Sequence, residues 1–238
     1  MSLGAWLLAS LIIVAGCVVQ GSIGIGLGLL GAPLLVLVEP RLLPGPLLFC
    51  SLILTTLVTY RDWHGVRFGD LGWALPGRLA GTVVALLVLR EVAVERIGLF
   101  VGVAVLAGVA ITASGIHLPP RPGSLLGAGL LAGFFGTTTS VGGPPMALVY
   151  QREPGPQIRG TLSAFFVVGV IVSLAGLHLV GRYGAPELRL SLLVAPAPII
   201  GFFLSRRSAL WVDQGRTRAA VLIASAAAGA LVVLRELV

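Results

Sequence analysis

Gly21-Ser22-Ile23-Gly24-Ile25-Gly26-Leu27-Gly28-Leu29-Leu30-Gly31-Ala32-Pro33 lies inside an apolar run that extends from Leu3 to Val38. One helix of that length would measure about 52 Å at ~1.5 Å per residue, against a hydrocarbon core of about 30 Å. The run is therefore expected to break. Five glycines followed by a proline supply the break: each Gly costs about 1 kcal/mol in a helix interior, whereas Pro fits a first helical turn. The predicted form is two half-helices meeting at a glycine-rich turn within the membrane. Unwound backbone at that depth is tolerated only where protein buries it or where it lines a cavity, which makes the break a candidate site.

A second stretch repeats the punctuation: Gly133-Phe134-Phe135-Gly136-Thr137-Thr138-Thr139-Ser140-Val141-Gly142-Gly143-Pro144-Pro145. Gly21 and Gly133, Gly24 and Gly136, Gly31 and Gly143, and Pro33 and Pro145 all stand 112 positions apart. The same offset carries Pro44 to Pro156 and Ser51 to Ser163. With 33 glycines in the chain, matched glycines alone mean little, so the paired prolines carry the argument. Pro76 and Gly81 match Pro196 and Gly201 at a slightly longer offset of 120. The reading is a duplicated unit, residues 1–118 and 119–238, with the boundary at Pro119-Pro120-Arg121-Pro122. Each copy holds one broken, re-entrant-like helix and three spanning helices.

Composition sets the class. The 238 residues are 57% hydrophobic and only 11% charged, with a mean hydropathy of +1.04. That is an all-α polytopic membrane protein. The net charge of +7 comes from arginine alone, almost all of it between apolar segments, so nucleic acid is excluded as a partner. Short basic loops set topology and meet anionic headgroups instead. Apolar segments are expected at about 46–60, 71–89, 97–116, 161–181, 190–204 and 219–234, besides the broken ones at 3–38 and 124–150. If each broken segment crosses once there are eight membrane segments and the halves run parallel. If each crosses twice there are ten and the halves are inverted. Arginines in the loops divide 9 to 6 under either arrangement, with the loop of Arg206, Arg207, Arg216 and Arg218 cytoplasmic in both.

Gly26-x-Gly28-x-x-Gly31 matches a dinucleotide fingerprint in letters, but it sits in a membrane-length run with no acid about 20 positions on. What carries over is the physics: free N–H groups at a helix start favour an anion. Discontinuous helices hold substrate this way in many transporters. Thr137, Thr138, Thr139 and Ser140 add hydroxyls where the first copy has Ile25, Gly26, Leu27 and Gly28. Such hydroxyls also return hydrogen bonds to their own helix. Gln20 and Ser22 could donate at the mouth of the first break. Arg78 lies near the middle of its segment, where a guanidinium usually faces a cavity or a partner. Every Asp and Glu sits at or beyond a segment end. No zinc-protease pair, paired intramembrane aspartates or Ser-His arrangement appears, so the chain is not expected to be an enzyme, and no cofactor or metal is expected. Cys17 and Cys50 lie in apolar segments and read as small buried hydrophobes or, alternatively, as a thiol that handles a sulfur substrate.

The two motifs, each opening a half of the chain and followed by three apolar segments, resemble the TauE/SafE family of sulfite and organosulfonate exporters, also called TSUP permeases. By position, Gly24, Gly28, Gly31 and Pro33 belong to the first motif, and Gly136, Gly142, Gly143 and Pro145 to the second. The resemblance implies transport of a small sulfur oxyanion or organosulfonate across the cytoplasmic membrane of a prokaryote. The expected partners are that small anion and the lipid bilayer, with a homo-oligomer allowed. The residues expected to bind are Gln20, Ser22, Gly24, Gly26, Gly28, Gly31, Pro33, Arg78, Gly136 to Ser140, Gly142, Gly143 and Pro145. The alternative is a non-transporting assembly or sensor subunit whose glycines serve packing alone.

Overall fold

The computed structural model describes residues 1–92, 97–208 and 214–237. Among these the chain is all-helical, with no strand. The first apolar run divides into α1 (Leu3–Ile23) and α2 (Ala32–Val38), the latter entered through a π-helical turn, Leu27–Gly31. Gly24 ends α1 with φ 93°, and Gly26 follows with φ 150°. Both angles are ones that side chains resist. Next come α3 (Gly45–Arg61), α4 (Phe68–Glu91) and α5 (Ile97–Ala113). The second half opens with α6 (Pro122–Thr139), a turn at Ser140 (φ 64°), and α7 (Gly143–Tyr150). It continues with α8 (Gly155–Leu179), α9 (Ala185–Val194), α10 (Pro196–Ser208) and α11 (Gln214–Leu237).

Among the described residues five helical stretches are long and apolar enough to cross a membrane: Leu3–Ile23, Phe68–Glu91, Gly155–Leu179, Ala185–Arg206 and Ala219–Glu236. Shorter apolar helices cover Leu27–Val38, Gly45–Arg61 and Gly98–Ala113. The span expected at 190–204 begins earlier, at Ala185, because the Glu187 carboxylate accepts the Gly184 N–H at 2.8 Å and so fixes a first turn. Of the four-arginine loop expected to be cytoplasmic, residues 209–213 and the side chains of Arg207, Arg216 and Arg218 lie outside what is described. The helices turn large apolar side chains outward, among them Leu11, Leu87, Phe203 and Ile223. Such a surface suits acyl chains rather than water.

Close backbone approach organises the interior. α4 lies parallel to α6, and a Cβ on Gly77, Gly81, Gly129 or Gly133 would collide with the carbonyl oxygen of Leu126, Leu130, Ala74 or Arg78 respectively. α1 lies parallel to α9 and α10: the Trp6 indole donates to Leu193 O at 3.1 Å, and Gly201 packs on Cys17. α3 and α8 run antiparallel, for Gly45 meets Tyr183 at one end while Gly65 meets Pro156 at the other. α5 and α11 are antiparallel too, with Gly98 under Glu236 and Gly229 against Val105. Cys17 and Cys50 are free and buried.

Candidate functional site

The two interruptions touch. Gly28 packs directly on Ser140 and Val141, leaving no room for a Cβ, and Gly143 packs on Ile25. Between them, α3, α4 and α8 close a cavity lined by Gln20, Gly26, Gly28, Arg78, Gly136, Ser140, Gly142 and Gly143, and by Ile25, Leu29, Ser51, Pro144 and Phe166, among others. The space open to the centre of a water molecule is about 30 Å³, room for about two waters or for one small oxyanion of similar bulk.

Residues with free backbone donors border this space. The first hydrogen bond of the returning segment is Leu30 N–H to Gly26 O at 2.9 Å, and Leu27 N–H is taken by Gln20 Oε1 at 3.0 Å. Between these two, the N–H groups of Gly28 and Leu29 have no acceptor among the described residues, and the same holds for Gly142 and Gly143. Helix starts leave such orphan donors, and their partial positive charge adds to the effect. Pro144 and Pro145, with no N–H, limit the donors of α7 to its very tip.

Among the described residues Arg78 is the one charged side chain in the lining, and it is 1% exposed. Its guanidinium occupies the space left by Gly136 and Gly169, where any Cβ would overlap it, and lies 5.6 Å from the Phe165 ring centroid. Nη1 donates to Ala132 O and Nη2 to Ser173 Oγ at 3.4 Å. Nε is buried with no partner, and no carboxylate among the described residues pairs with the cation. A buried cation held only by neutral groups leaves much of its desolvation cost uncompensated.

Not every expected residue reaches the cavity. The Ser22 hydroxyl donates to Val18 O at 2.7 Å, and Gly24 is covered by Ile158 and Arg159. Gly31, Pro33 and Pro145 are buried in helices beside the cavity but do not line it. Thr137 shares hydroxyl contacts with Thr82 (3.2 Å) and Ser173 (2.7 Å) behind Arg78. The Thr138 and Thr139 hydroxyls bond back to Phe134 O and Phe135 O at 2.8 and 2.7 Å, and both residues border a separate apolar cavity of about 300 Å³ between α5 and α6. Only Ser140 of the hydroxyl run lines the site, and its Oγ donates to Pro44 O at 3.1 Å. Neither cysteine lines it. Ser51, Ser173, Phe165 and Phe166 were not singled out as site residues from sequence. Of these only Ser51 carried a signal, its match to Ser163 at the repeat offset.

The family model described as Sulfite exporter TauE/SafE matches residues 8–232. No curated protein and no solved structure gives a significant match.

Proposed function

The chain belongs to the sulfite exporter TauE/SafE family, and from that premise we propose that it is a permease for a small sulfur oxyanion or organosulfonate bound where the two interrupted helices meet. The observation that carries the reading is Arg78: a buried cation with no carboxylate among the described residues, beside four backbone N–H groups with no acceptor among them, in a cavity of oxyanion size. An anion there would take charge-assisted hydrogen bonds from donors that otherwise have none. Gln20, with Oε1 committed to Leu27, has its amide nitrogen available to the same ligand.

We also read residues 1–118 and 119–238 as inverted repeats giving ten membrane segments. Three packing relations support this. Helices of one half pair with exchanged counterparts of the other, α4 with α6 and α10 with α1. The equivalent helices α3 and α8, and likewise α5 and α11, run antiparallel. Gly28 and Ser140, which exchange under the offset of 112, touch each other, as residues on a two-fold axis must. Packing also favours Gly77 with Gly201 and Gly81 with Ser205 as structural equivalents, since Gly77 lies on Leu126 O and Gly201 on Val14 O. That is an offset of 124 rather than the 120 suggested by Pro76 and Pro196. The face carrying Arg61, Arg67, Arg121, Arg152 and Arg159 is then the cytoplasmic one by the positive-inside preference.

The test is sulfite flux in proteoliposomes, with a thermal-shift screen of sulfite, sulfate, thiosulfate, sulfoacetate and taurine against chloride and carboxylate controls. Arg78→Gln should lower flux at least tenfold, the scale of one lost charge-assisted pair, and abolish the anion-induced shift. Flux and shift unchanged in Arg78→Gln would remove the site. Wild-type protein with neither flux nor shift would favour a non-transporting subunit.

A further inference from the structure

Arg78 has a counterpart. Arg61, at the end of α3, sits in a seat with the same three parts: a carbonyl of a first-in-half helix, a serine and a phenylalanine. Its Nη2 donates to Gly21 O at 2.7 Å, Nη1 lies 3.4 Å from Ser205 Oγ, and the guanidinium carbon is 5.6 Å from the Phe202 ring centroid. For Arg78 the same parts are Ala132 O, Ser173 Oγ at 3.4 Å and Phe165 at 5.6 Å. The carbonyls correspond within one residue, since Gly21 matches Gly133.

The seats differ in what fills them. Asp62 Oδ2 accepts from Arg61 Nη2 at 2.9 Å and from Arg159 Nε at 2.8 Å. One carboxylate oxygen thus bridges two guanidiniums, as an oxyanion would. Two cations face one anion, and no second carboxylate among the described residues joins them. The side chains of Arg61, Asp62 and Arg159 are 17%, 10% and 15% exposed, so the cluster is shielded yet within reach of the surface. Arg159 also packs over Gly24, at the end of α1.

We infer that Arg61 and Arg159 form a second station for the transported oxyanion, beside the first interruption, and that the Asp62 carboxylate holds the anion's place when the station is empty. This rests on the permease reading above. In that scheme an anion entering from the Arg61 face displaces Asp62 and then passes to Arg78, so that the two arginine seats follow one another along one path. The displacement exchanges one set of charge-assisted hydrogen bonds for another, so it proceeds at small net cost.

Isothermal titration of the purified full-length protein with sulfite tests it. Wild type should bind one equivalent, lost in Arg78→Gln. Asp62→Asn should add a second equivalent, which persists in Asp62→Asn/Arg78→Gln and disappears in Asp62→Asn/Arg159→Gln. A stoichiometry that stays at one in Asp62→Asn, or a second equivalent that survives loss of Arg159, overturns the inference. The Arg78→Gln arm reports on the permease site alone, so the two readings fail separately. If Asp62→Asn does not fold, Arg159→Gln in otherwise native protein decides instead. Its KM for sulfite presented at the Arg61 face should rise about tenfold with KM at the other face unchanged, and an unchanged KM at both faces overturns the second station.

Discussion

The two interruptions solve the same backbone problem with different chemistry. At the first, Gly24 and Gly26 take left-handed angles without a side chain, and Gln20 reaches across the gap to satisfy Leu27 N–H. At the second, Ser140 takes φ 64° despite its Cβ and is steadied by the bond from its hydroxyl to Pro44 O. The first break gives bare backbone to the cavity. The second adds a hydroxyl, and α4 lays Arg78 against it. Charge around the two breaks is uneven as well: Arg78 has no carboxylate partner among the described residues, whereas Arg61 is paired with Asp62.

The largest effect is expected where the interruptions touch. A Cβ on Gly28 meets backbone of Ser140, which cannot rotate away as a flexible side chain could. Gly28→Val should lower stability by about 3 kcal/mol or more, at the upper end of overpacking penalties, seen as a lower melting temperature or lost folded yield. A near-native melting temperature in Gly28→Val would mean that the two interruptions do not pack this closely. Ser140 is a gentler probe. Ser140→Val places a β-branched side chain at positive φ and should cost about 1–3 kcal/mol. Ser140→Gly relieves that conformation but loses the bond to Pro44 O, and should stay within about 1 kcal/mol of wild type by thermal denaturation. Equal losses in both would show that the hydroxyl, rather than the backbone angle, holds the turn.

The fold was legible where its causes are local. Membrane-length apolar runs and proline or charge at their ends gave the helical class, and α3 at Gly45–Arg61 and α4 at Phe68–Glu91 overlap the segments read at 46–60 and 71–89. The surroundings of Arg78 were not legible, because its partners Ala132 and Ser173 lie 54 and 95 positions away. Hydroxyl direction was hidden for a different reason. Thr138 and Thr139 can reach either a ligand or the carbonyl four residues back, and only the rotation of α6 about its axis decides between them. The same rotation leaves Ser140, one residue past the helix, aimed at Pro44.

Acid separates the two arginine seats, with the smallest effect of the set. No carboxylate among the described residues pairs with Arg78, whereas Asp62 is bound by Arg61 and Arg159. Burial alone would raise the Asp62 carboxyl, but hydrogen bonds and charge from the two guanidiniums outweigh it and hold the group below the usual carboxylate range. A depressed folded-state value means that the stabilisation is present above the unfolded pKa of about 3.9 and is lost as pH falls through the folded one. The melting temperature of wild type should therefore be level from neutral pH to about pH 5 and decline below about pH 4. Asp62→Asn should start lower at neutral pH and decline less steeply. Part of the slope should persist, because the hydrogen bond from Arg41 similarly lowers Glu39. An Asp62→Asn profile parallel to that of wild type would mean that Asp62 is no more tightly held by its arginines when folded than when unfolded, and the contrast between a filled seat and an open one would lose its energetic basis.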